Sequence, residues 1–212
     1  MNKSVYLIRH GESESNAGRA TSSFANIRLT AAGHVQAKSF AQDFAILPSL
    51  IVTSSFLRAR QTAGYFSDLH KEVAVFEWPV HEYVFVTFPE SAATTRLQRK
   101  PVVDDYWKRN NPKEKNVGSE SFYEFWSRVK HVYDLVRRER AERVVIFTHE
   151  FFMQAFAFGV ERQFPDCSAQ IMSQLYAQSR STPIDNLSVR EFLFPMQNDN
   201  IVDLGSRDDP TT

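Results

Sequence analysis

The sequence predicts an α/β fold: a single-domain three-layer sandwich in which a mainly parallel sheet carries helices on both faces. Three observations predict it. Short apolar runs rich in β-branched and aromatic residues, typical of buried strands, recur along the chain. Helical patterns separate most of them, and strands that alternate with helices form parallel sheets through right-handed crossovers. The 212 residues suffice for one domain with a substantial core, and neither a repeat nor a Gly/Ser-rich linker divides them.

Four segments have the composition of buried strands. The first ends directly before a polar turn that contains glycine, and the last ends in a histidine. The four predicted strands are Ser4–Ile8, Leu50–Thr53, Val73–Phe76 and Val144–Thr148.

Three helices are predicted from N-cap residues and apolar periodicity. Thr30 can cap a helix in which Ala37, Phe40, Ala41, Phe44 and Leu47 recur at helical spacing. Ser54 or Ser55 can cap a second helix that runs through Arg58, Thr62 and Phe66. Ser121 and Glu124 form a capping-box pattern before the clearest apolar stripe of the chain: Phe122, Phe125, Trp126, Val129, Val132, Tyr133 and Val136.

We expect residues 1–212 to form one domain with a variable, lid-like insertion and a disordered tail. The insertion spans about 78–116, the most irregular segment, in which four prolines occur. The tail is expected from about 203.

Composition excludes several classes of partner. The 25 basic and 25 acidic residues give a formal net charge of zero, whereas nucleic-acid and anionic-membrane binders need a basic surplus. Cys167 is the only cysteine, so an internal disulfide is impossible. The N-terminus lacks the pattern of a signal peptide, and no apolar run approaches the roughly 20 residues of a spanning helix. We therefore expect a cytoplasmic protein with no nucleic-acid or membrane partner; the sequence predicts no oligomeric state.

Five polar residues from distant parts of the chain are predicted to meet at one edge of the sheet, because the carboxyl ends of parallel strands share that edge. Arg9 and His10 end the first strand, and His149 ends the fourth. Arg58 lies in the first turn of the helix after the second strand, and Glu82 follows the third strand.

These five side chains suit chemistry on a phosphate group. Guanidinium groups match phosphate oxygens, and imidazoles add further donors. A neutral imidazole is also a nucleophile, and its ordinary pKa of about 6.5 leaves much of it neutral at pH 7. Glu82 is the carboxylate of the set that can move a proton to a leaving group.

The motifs resemble those of the histidine phosphatase superfamily, also called the phosphoglycerate mutase-like family. The resemblance extends from Lys3 to about Phe194, in the order of the family. It rests on "LIRHGES" with Asn16, "LTAAG" at 29–33, "SFLRARQTA" at 55–63, the isolated Glu82, "GSES" at 118–121 and "VVIFTHE" at 144–150.

The resemblance implies a role for each site residue. His10 becomes the nucleophile that is phosphorylated, and Glu82 becomes the proton donor. The resemblance further implies that the substrate is a small phosphate monoester and that neither a metal ion nor another cofactor takes part. The residues that contact the phosphoryl group are Arg9, Arg58, His149 and Asn16.

Two departures from the family pattern concern the substrate. An acidic residue commonly precedes the "LT" segment, but Ile27 and Arg28 stand there in this chain. Members often carry glycines after the late histidine, whereas this chain has Glu150 followed by two phenylalanines.

We favour a phosphatase over two alternatives. Mutases of the family carry an Arg-His-Tyr-Gly type of segment beside the acid, and "HEYVFVTF" at 81–88 lacks it. A non-catalytic module that binds phosphate esters or phosphoproteins would be expected to lack His10 or Glu82, and this chain has both.

The segment 96–115 carries seven basic and three acidic residues, with Tyr106 and Trp107 among them. Two interpretations remain open for it. It is either a lid that admits a small, anionic, aromatic phosphate ester or the solvated face of a helix.

Overall fold

The structure is a computed structural model that describes residues 2–88 and 93–196. This part of the chain holds the following strands: β1 (Asn2–Arg9), β2 (Leu50–Thr53), β3 (Val75–Glu77), β4 (Arg143–Thr148) and β5 (Val189–Pro195). Its helices are α1 (Ala31–Asp43), α2 (Leu57–Ser67), α3 (Arg96–Arg109), α4 (Phe122–Arg138), α5 (Glu150–Glu161) and α6 (Ala169–Ser181). None of these helices is both long enough and apolar enough to cross a membrane. The tail expected from about 203 lies outside the described residues.

The five strands form one sheet in the order β3-β2-β4-β1-β5. All neighbouring pairs are parallel except β1 and β5, which are antiparallel. In the central pair, Arg9 of β1 lies opposite Thr148 of β4. The two predicted active-site histidines follow these two residues, so the register of the sheet itself brings them side by side.

Side chains of the central strands alternate between two cores, as a strand with a period of two requires. Val5, Leu7 and Ile146 pack on the face that α4, α5 and α6 cover. Tyr6 and Phe147 pack on the opposite face, against α1 and α2. The predicted three-layer α/β sandwich is confirmed.

The strand predictions are correct for the centre of the sheet and wrong at its edges. β3 begins at Val75 rather than Val73, because the Val73 N–H is engaged in a turn with the His70 carbonyl. It is also an exposed edge strand, with Phe76 54% exposed, rather than a buried one. β5 was not predicted, because its side chains alternate in burial as those of an edge strand do.

Two helix predictions need correction at a terminus. α1 starts after Thr30 as predicted, but it ends at Asp43, and Leu47 is 69% exposed. Leu47 precedes Pro48, and the residue before a proline disfavours helical geometry. α2 starts after Phe56, and neither Ser54 nor Ser55 caps it; the Ser54 Oγ instead accepts a hydrogen bond from the Phe56 N–H at 3.1 Å.

The capping box of α4 is present as predicted. The Glu124 N–H donates to the Ser121 Oγ at 3.2 Å, and the Ser121 N–H donates back to the Glu124 carboxylate at 2.8 Å. The apolar stripe that follows is buried against β1 and β4, apart from Tyr133, which is partly buried.

The segment 78–116 is less irregular than predicted. Residues 78–88 form no regular element, but residues 96–109 form the helix α3. Thr95 and Gln98 make a capping box at its start, and Pro101 lies inside it. The four prolines supported the irregular insertion that was predicted, but α3 continues through Pro101 and loses only the one hydrogen bond that a proline cannot donate.

The turn after β1 packs backbone to backbone against the first turn of α1. The Thr30 N–H donates to the Glu12 carbonyl at 3.0 Å. A Cβ on Gly33 would lie 2.0 Å from the Glu12 oxygen, and one on Gly11 would lie 2.8 Å from the Gly33 oxygen. Glycine at position 33 therefore lets helix α1 approach the turn that carries His10.

We predict that Gly33→Ala destabilises the protein, whereas Gly64→Ala does not. Overpacking at Gly33 should lower the free energy of unfolding by about 1–3 kcal/mol, because backbone rather than a flexible side chain must move. Gly64 lies within α2 with open space around its missing Cβ, so its replacement should raise stability by about 0.5–1 kcal/mol. Urea denaturation measures both; equal effects would contradict the close contact.

Candidate active site

The structure brings the predicted residues together at the carboxyl ends of β1 and β4. The rings of His10 and His149 have their centroids 5.1 Å apart. Arg58 lies in the first turn of α2 and hydrogen-bonds to His10, and Arg9 precedes His10 on β1. Glu82 reaches the same place from the segment after β3.

The hydrogen bonds of His10 define its tautomer. Its Nδ1 lies 2.7 Å from the Gly11 carbonyl oxygen. A carbonyl can only accept, so Nδ1 carries the hydrogen and Nε2 carries a lone pair. That Nε2 accepts a hydrogen bond from the Arg58 Nε–H at 3.0 Å. Burial and the nearby charge of Arg58 hold the pKa of His10 well below its ordinary value, so the ring is neutral.

Neighbouring polar groups fix the turn that carries His10. The Gly11 N–H donates to the Thr62 Oγ1 at 3.1 Å. The Thr62 hydroxyl in turn donates to the Arg58 carbonyl at 2.8 Å, which links the turn to α2. The Asn186 side-chain amide donates to the His10 carbonyl at 2.7 Å. The main chain around the nucleophile position is therefore held from α2 and from the segment before β5.

Arg58 is a buried cation whose other contacts, besides the one with His10, are also with neutral groups. Its Nη1 donates to the Phe24 carbonyl at 2.7 Å, and its guanidinium lies 5.2 Å from the centre of the Phe56 ring. Burial lowers the pKa of Arg58 to about 10, with Glu82 opposing the change, so the group remains charged at neutral pH.

Arg9 is held by α5 and by the segment that precedes β5. Its Nη2 forms an ion pair with Glu150 at 3.1 Å, and its Nη1 donates to the Ile184 carbonyl. Its Nε is buried and has no partner among the described residues. The Arg9 side chain also lines the cavity described below.

His149 has no exposed surface and does not line the cavity. Its Nε2 lies 2.8 Å from the Ser54 hydroxyl, and its Nδ1 has no partner among the described residues. Burial, followed by the charge of Arg58, holds the pKa of His149 well below its ordinary value. The ring is a neutral group packed beside His10.

Glu82 accepts backbone hydrogen bonds at the N-terminus of α5. Its Oε1 accepts from the N–H groups of Tyr83 at 3.0 Å and Phe152 at 3.2 Å, and its Oε2 accepts from Phe151 at 3.2 Å. Burial raises the pKa of Glu82 above its ordinary value, although Arg58 and these donors oppose the change. The carboxyl group is therefore biased towards its protonated form.

Asn16 lies at the edge of the same group of residues. Its Oδ1 accepts from the Ser13 hydroxyl at 2.8 Å and from the Asn186 amide at 3.4 Å. These contacts leave the Nδ2 group without a partner among the described residues, on a side chain that lines the cavity.

The cavity has a volume of about 550 Å³, far more than a phosphate group needs. Arg9, His10, Arg58 and Glu82 line one end of it. Aromatic side chains line much of the remainder: Phe24, Tyr83, Phe85, Phe88, Trp107, Phe151 and Tyr176. The arrangement provides a polar, cationic end for a phosphoryl group and a largely apolar space for the organic part of a substrate.

Sequence reasoning assigned no role to three side chains of the site. Glu150 was noted as a departure from the family pattern, but its pairing with Arg9 was not predicted. Gln154, one helical turn later, lines the cavity with a buried Oε1 that has no partner among the described residues. Asn186 lies in a loop where no periodicity or motif marks it.

Sequence comparison decides the family. A sequence model of the histidine phosphatase superfamily (branch 1) matches residues 5–194. The chain belongs to the histidine phosphatase superfamily. The family resemblance is confirmed, and with it the predicted enzyme class, a phosphatase of this superfamily.

Relatives of this histidine phosphatase include a protein of Hydrogenobacter thermophilus named "Putative phosphoserine phosphatase 2", which is 28% identical over 148 residues, 69% of this chain and 73% of that protein. A mycobacterial glucosyl-3-phosphoglycerate phosphatase superimposes with a TM-score of 0.65 over 90% of each chain, at 20% identity. The α-ribazole phosphatase of Shigella flexneri gives a TM-score of 0.66 over 89% of each chain, at 21% identity. The two structures establish the fold of the domain.

We predict that the free energy of unfolding falls as the pH is lowered from 7 to 5. His149 stays neutral in the folded state, whereas in the unfolded chain it binds a proton below its ordinary pKa of about 6.5. The unfolded state then binds more protons, so each such histidine removes up to about 1.4 kcal/mol per pH unit below that value. Glu82 acts in the opposite direction, because its pKa is raised in the folded state.

Urea denaturation at pH 5, 6 and 7 tests this prediction with two variants. His149→Gln should reduce the pH dependence by up to about 1.4 kcal/mol per pH unit, since one buried neutral imidazole is removed. His131→Gln replaces an exposed histidine of α4 and should leave the dependence unchanged. Equal pH dependence in the wild type and in His149→Gln would contradict the buried neutral state.

Proposed function

We propose that this enzyme hydrolyses phosphate monoesters through a phosphohistidine intermediate on His10, with Glu82 as the acid and base. One observation carries the proposal: the lone pair of His10 Nε2 is presented beside the Arg58 guanidinium at the cationic end of a large cavity. A neutral imidazole among fixed cations is suited to attack a phosphoryl group, because the cations stabilise the charge on its oxygens.

In the first step, the phosphoryl group binds between Arg9 and Arg58. Arg58 Nε transfers its hydrogen bond from His10 Nε2 to a phosphoryl oxygen, and this frees the lone pair of the ring. His10 Nε2 then bonds to phosphorus as the ester P–O bond breaks. The departing alkoxide takes a proton from Glu82, whose raised pKa supports its starting protonated.

In the second step, a water molecule replaces the departed alcohol. Glu82, now ionised, takes a proton from this water as its oxygen bonds to phosphorus. The P–N bond breaks, its electron pair returns to His10 Nε2, and inorganic phosphate leaves. No metal ion is assigned a role, since guanidinium and imidazole groups supply the positive charge and the donors.

We assign His149 and Asn16 to the phosphoryl oxygens as well. The Ser54 Oγ already accepts from the Phe56 N–H, so its hydroxyl hydrogen is available to the His149 Nε2. His149 then carries its own hydrogen on Nδ1, the buried atom that has no partner. The unpaired amide of Asn16, which lines the cavity, is a donor that a phosphoryl group would engage. The His149 N–H is buried away from the cavity, so it would contact a phosphoryl oxygen only if the side chains between them moved.

The relatives support a small-molecule substrate. The names of the relative and of the two structures refer to phosphoserine, glucosyl-3-phosphoglycerate and α-ribazole phosphatases. The compounds in these names differ in size, and a phosphatase acts on each of them as a phosphate ester. A cavity that has a cationic end and a long apolar wall is consistent with a substrate of this general kind.

We predict that rapid quenching during turnover of phenyl phosphate traps a phosphoenzyme that is labile in acid and stable in base. A phosphoramidate on histidine has this stability, whereas a serine ester does not. His10→Ala should give neither label nor turnover, because it removes the nucleophile. His131→Ala, an exposed histidine replaced in the same way, should retain both. A label that persists in His10→Ala would overturn the proposal.

Measurement of the products separates a phosphatase from a mutase and from a metal-dependent enzyme. A phosphatase should release inorganic phosphate from several esters without a bisphosphate primer and in the presence of EDTA. Interconversion of phosphoglycerate isomers with little phosphate release would identify a mutase. Loss of turnover in EDTA that Mg²⁺ or Zn²⁺ restores would contradict the mechanism.

We predict that Glu82→Gln affects two classes of ester differently. With an aryl ester of an acidic phenol, His10 should still be phosphorylated rapidly, because the phenolate leaves without a proton. A burst of about one equivalent of phenol per enzyme should precede slow turnover, since water then lacks a base. With an alkyl ester no burst should appear. Asp104→Asn, which changes another carboxylate of the cavity, should behave like the wild type; equal losses on both esters in Glu82→Gln would assign the acid elsewhere.

A further inference from the structure

Basic side chains outnumber acidic ones around the cavity. Two of the basic groups are paired within the protein, Arg9 with Glu150 and Lys100 with Asp104. Arg58 belongs to the phosphate end of the cavity. The cavity-lining cations that remain are Arg96, Arg99 and Arg180.

Arg99 is a buried guanidinium that is held entirely by neutral groups. Its side chain is only 6% exposed. Its Nε donates to the Thr95 carbonyl at 3.3 Å, and its Nη2 donates to the Thr21 hydroxyl at 2.6 Å and to the Thr94 carbonyl. Its charge has no carboxylate partner among the described residues, and burying an unpaired charge is costly.

The Arg99 guanidinium also has aromatic rings near it, at 5.3 Å from the centre of Phe24 and 5.7 Å from that of Phe88. These contacts fix the position of the group. They offset only part of the cost of burying its charge, because a cation–π contact contributes less than an ion pair in a buried site.

Arg96 adds a second positive charge three residues earlier on the same helix. Like charges at this spacing repel, and the pKa of Arg99 is lowered by burial and by Arg96. Arg180, in the last turn of α6, lines the cavity as well. Neither the Arg96 side chain nor the Arg180 side chain makes a hydrogen bond or ion pair with any residue in the described ranges. Fold stability does not account for this grouping, whereas an anion bound among the three would.

We propose that Arg96, Arg99 and Arg180 form a second anion site, so that the substrate carries an anionic group in addition to the phosphate that is cleaved. The proposal rests on the proposed function and names the substrate class: a phosphate monoester with a distal carboxylate or second phosphate. Guanidinium groups recognise both anions through paired donors.

The wall beside this second anion site favours a planar or apolar connection between the two anionic groups. Trp107 of α3 and Tyr176 of α6 stack with their ring centroids 4.2 Å apart at an angle of 7°. Both rings line the cavity, and Tyr176 lies one helical turn before Arg180. An aromatic or apolar spacer would contact these rings while its two ends reach the cations.

Three matched esters test the proposal. One is 4-(carboxymethyl)phenyl phosphate, the second is its neutral amide, 4-(carbamoylmethyl)phenyl phosphate, and the third carries a phosphonomethyl group instead. The methylene group insulates the phenol, so the leaving groups are nearly equivalent and differ mainly in distal charge. Homologues of the three esters with one more methylene in the distal arm test whether a longer arm is needed for the charged group to reach the arginines. Phenyl phosphate measures the basal reaction, and kcat/KM is determined for each ester.

The wild type should prefer at least one distal anion over the amide by about tenfold to a hundredfold, the range for hydrogen bonds to a charged group. The phosphonate arm distinguishes a phosphate-like dianion from a carboxylate. Arg96→Gln and Arg180→Gln should each reduce this preference while they retain turnover of phenyl phosphate. Arg99→Met should also reduce the preference for the distal anion, and its turnover of phenyl phosphate shows that this variant has folded. Arg109→Gln, on the same helix but outside the cavity, should change nothing.

A preference of less than about twofold in the wild type would overturn the second anion site, since charge-assisted hydrogen bonds contribute more than that. Glu90, the carboxylate nearest to Arg96 in the sequence, lies outside the described residues and is changed to Gln in a further arm. A preference that appears only in Glu90→Gln would show that the chain supplies the anion itself, which also overturns the proposal. Turnover of phenyl phosphate with labelling of His10 separates these results from a failure of the proposed function.

Discussion

Burial of cations beside imidazoles is the constraint on which the site depends. Arg9 and Arg58 are removed from most of the solvent. Burial of the two adjacent histidines, followed by the charge of Arg58, makes protonation of their rings unfavourable. Burial of the two cations would be prohibitive without acceptors, which the fold supplies as the carbonyls of Phe24 and Ile184 and as Glu150. The neutral His10 ring, its defined tautomer and the charged guanidinium groups are thus consequences of one arrangement.

The sheet and the helices each contribute to that arrangement. The β1–β4 register sets His10 beside His149, and α2 carries both Arg58 and the hydroxyl that holds Gly11. The first turn of α5 hydrogen-bonds to Glu82, so this carboxyl group is fixed by main-chain groups rather than by another side chain. Helices α3 and α6 line the cavity beyond these residues.

Sequence reasoning reached the central strands, the capped helices and the convergence of the polar residues, because each depends on a short-range pattern. Hydrophobic runs predicted β1, β2 and β4, and cap residues predicted the starts of α1 and α4. Sequence reasoning failed where contacts between distant segments decide which element forms. The exposed edge strands β3 and β5 lack a buried run, and α3 contains a proline. The pairing of Glu150 with Arg9 joins residues that are 141 positions apart, so no local pattern reveals it.

The hydrogen bond from Arg58 to His10 Nε2 has a consequence for selectivity. While it is in place, the lone pair that would attack phosphorus is occupied. In the proposed mechanism only a ligand with anionic oxygens offers Arg58 a better acceptor, so recognition of the phosphate and release of the nucleophile are one event. Neutral esters that enter the cavity would meet an engaged imidazole. The enzyme would then discriminate against neutral esters through a less reactive nucleophile as well as through weaker binding.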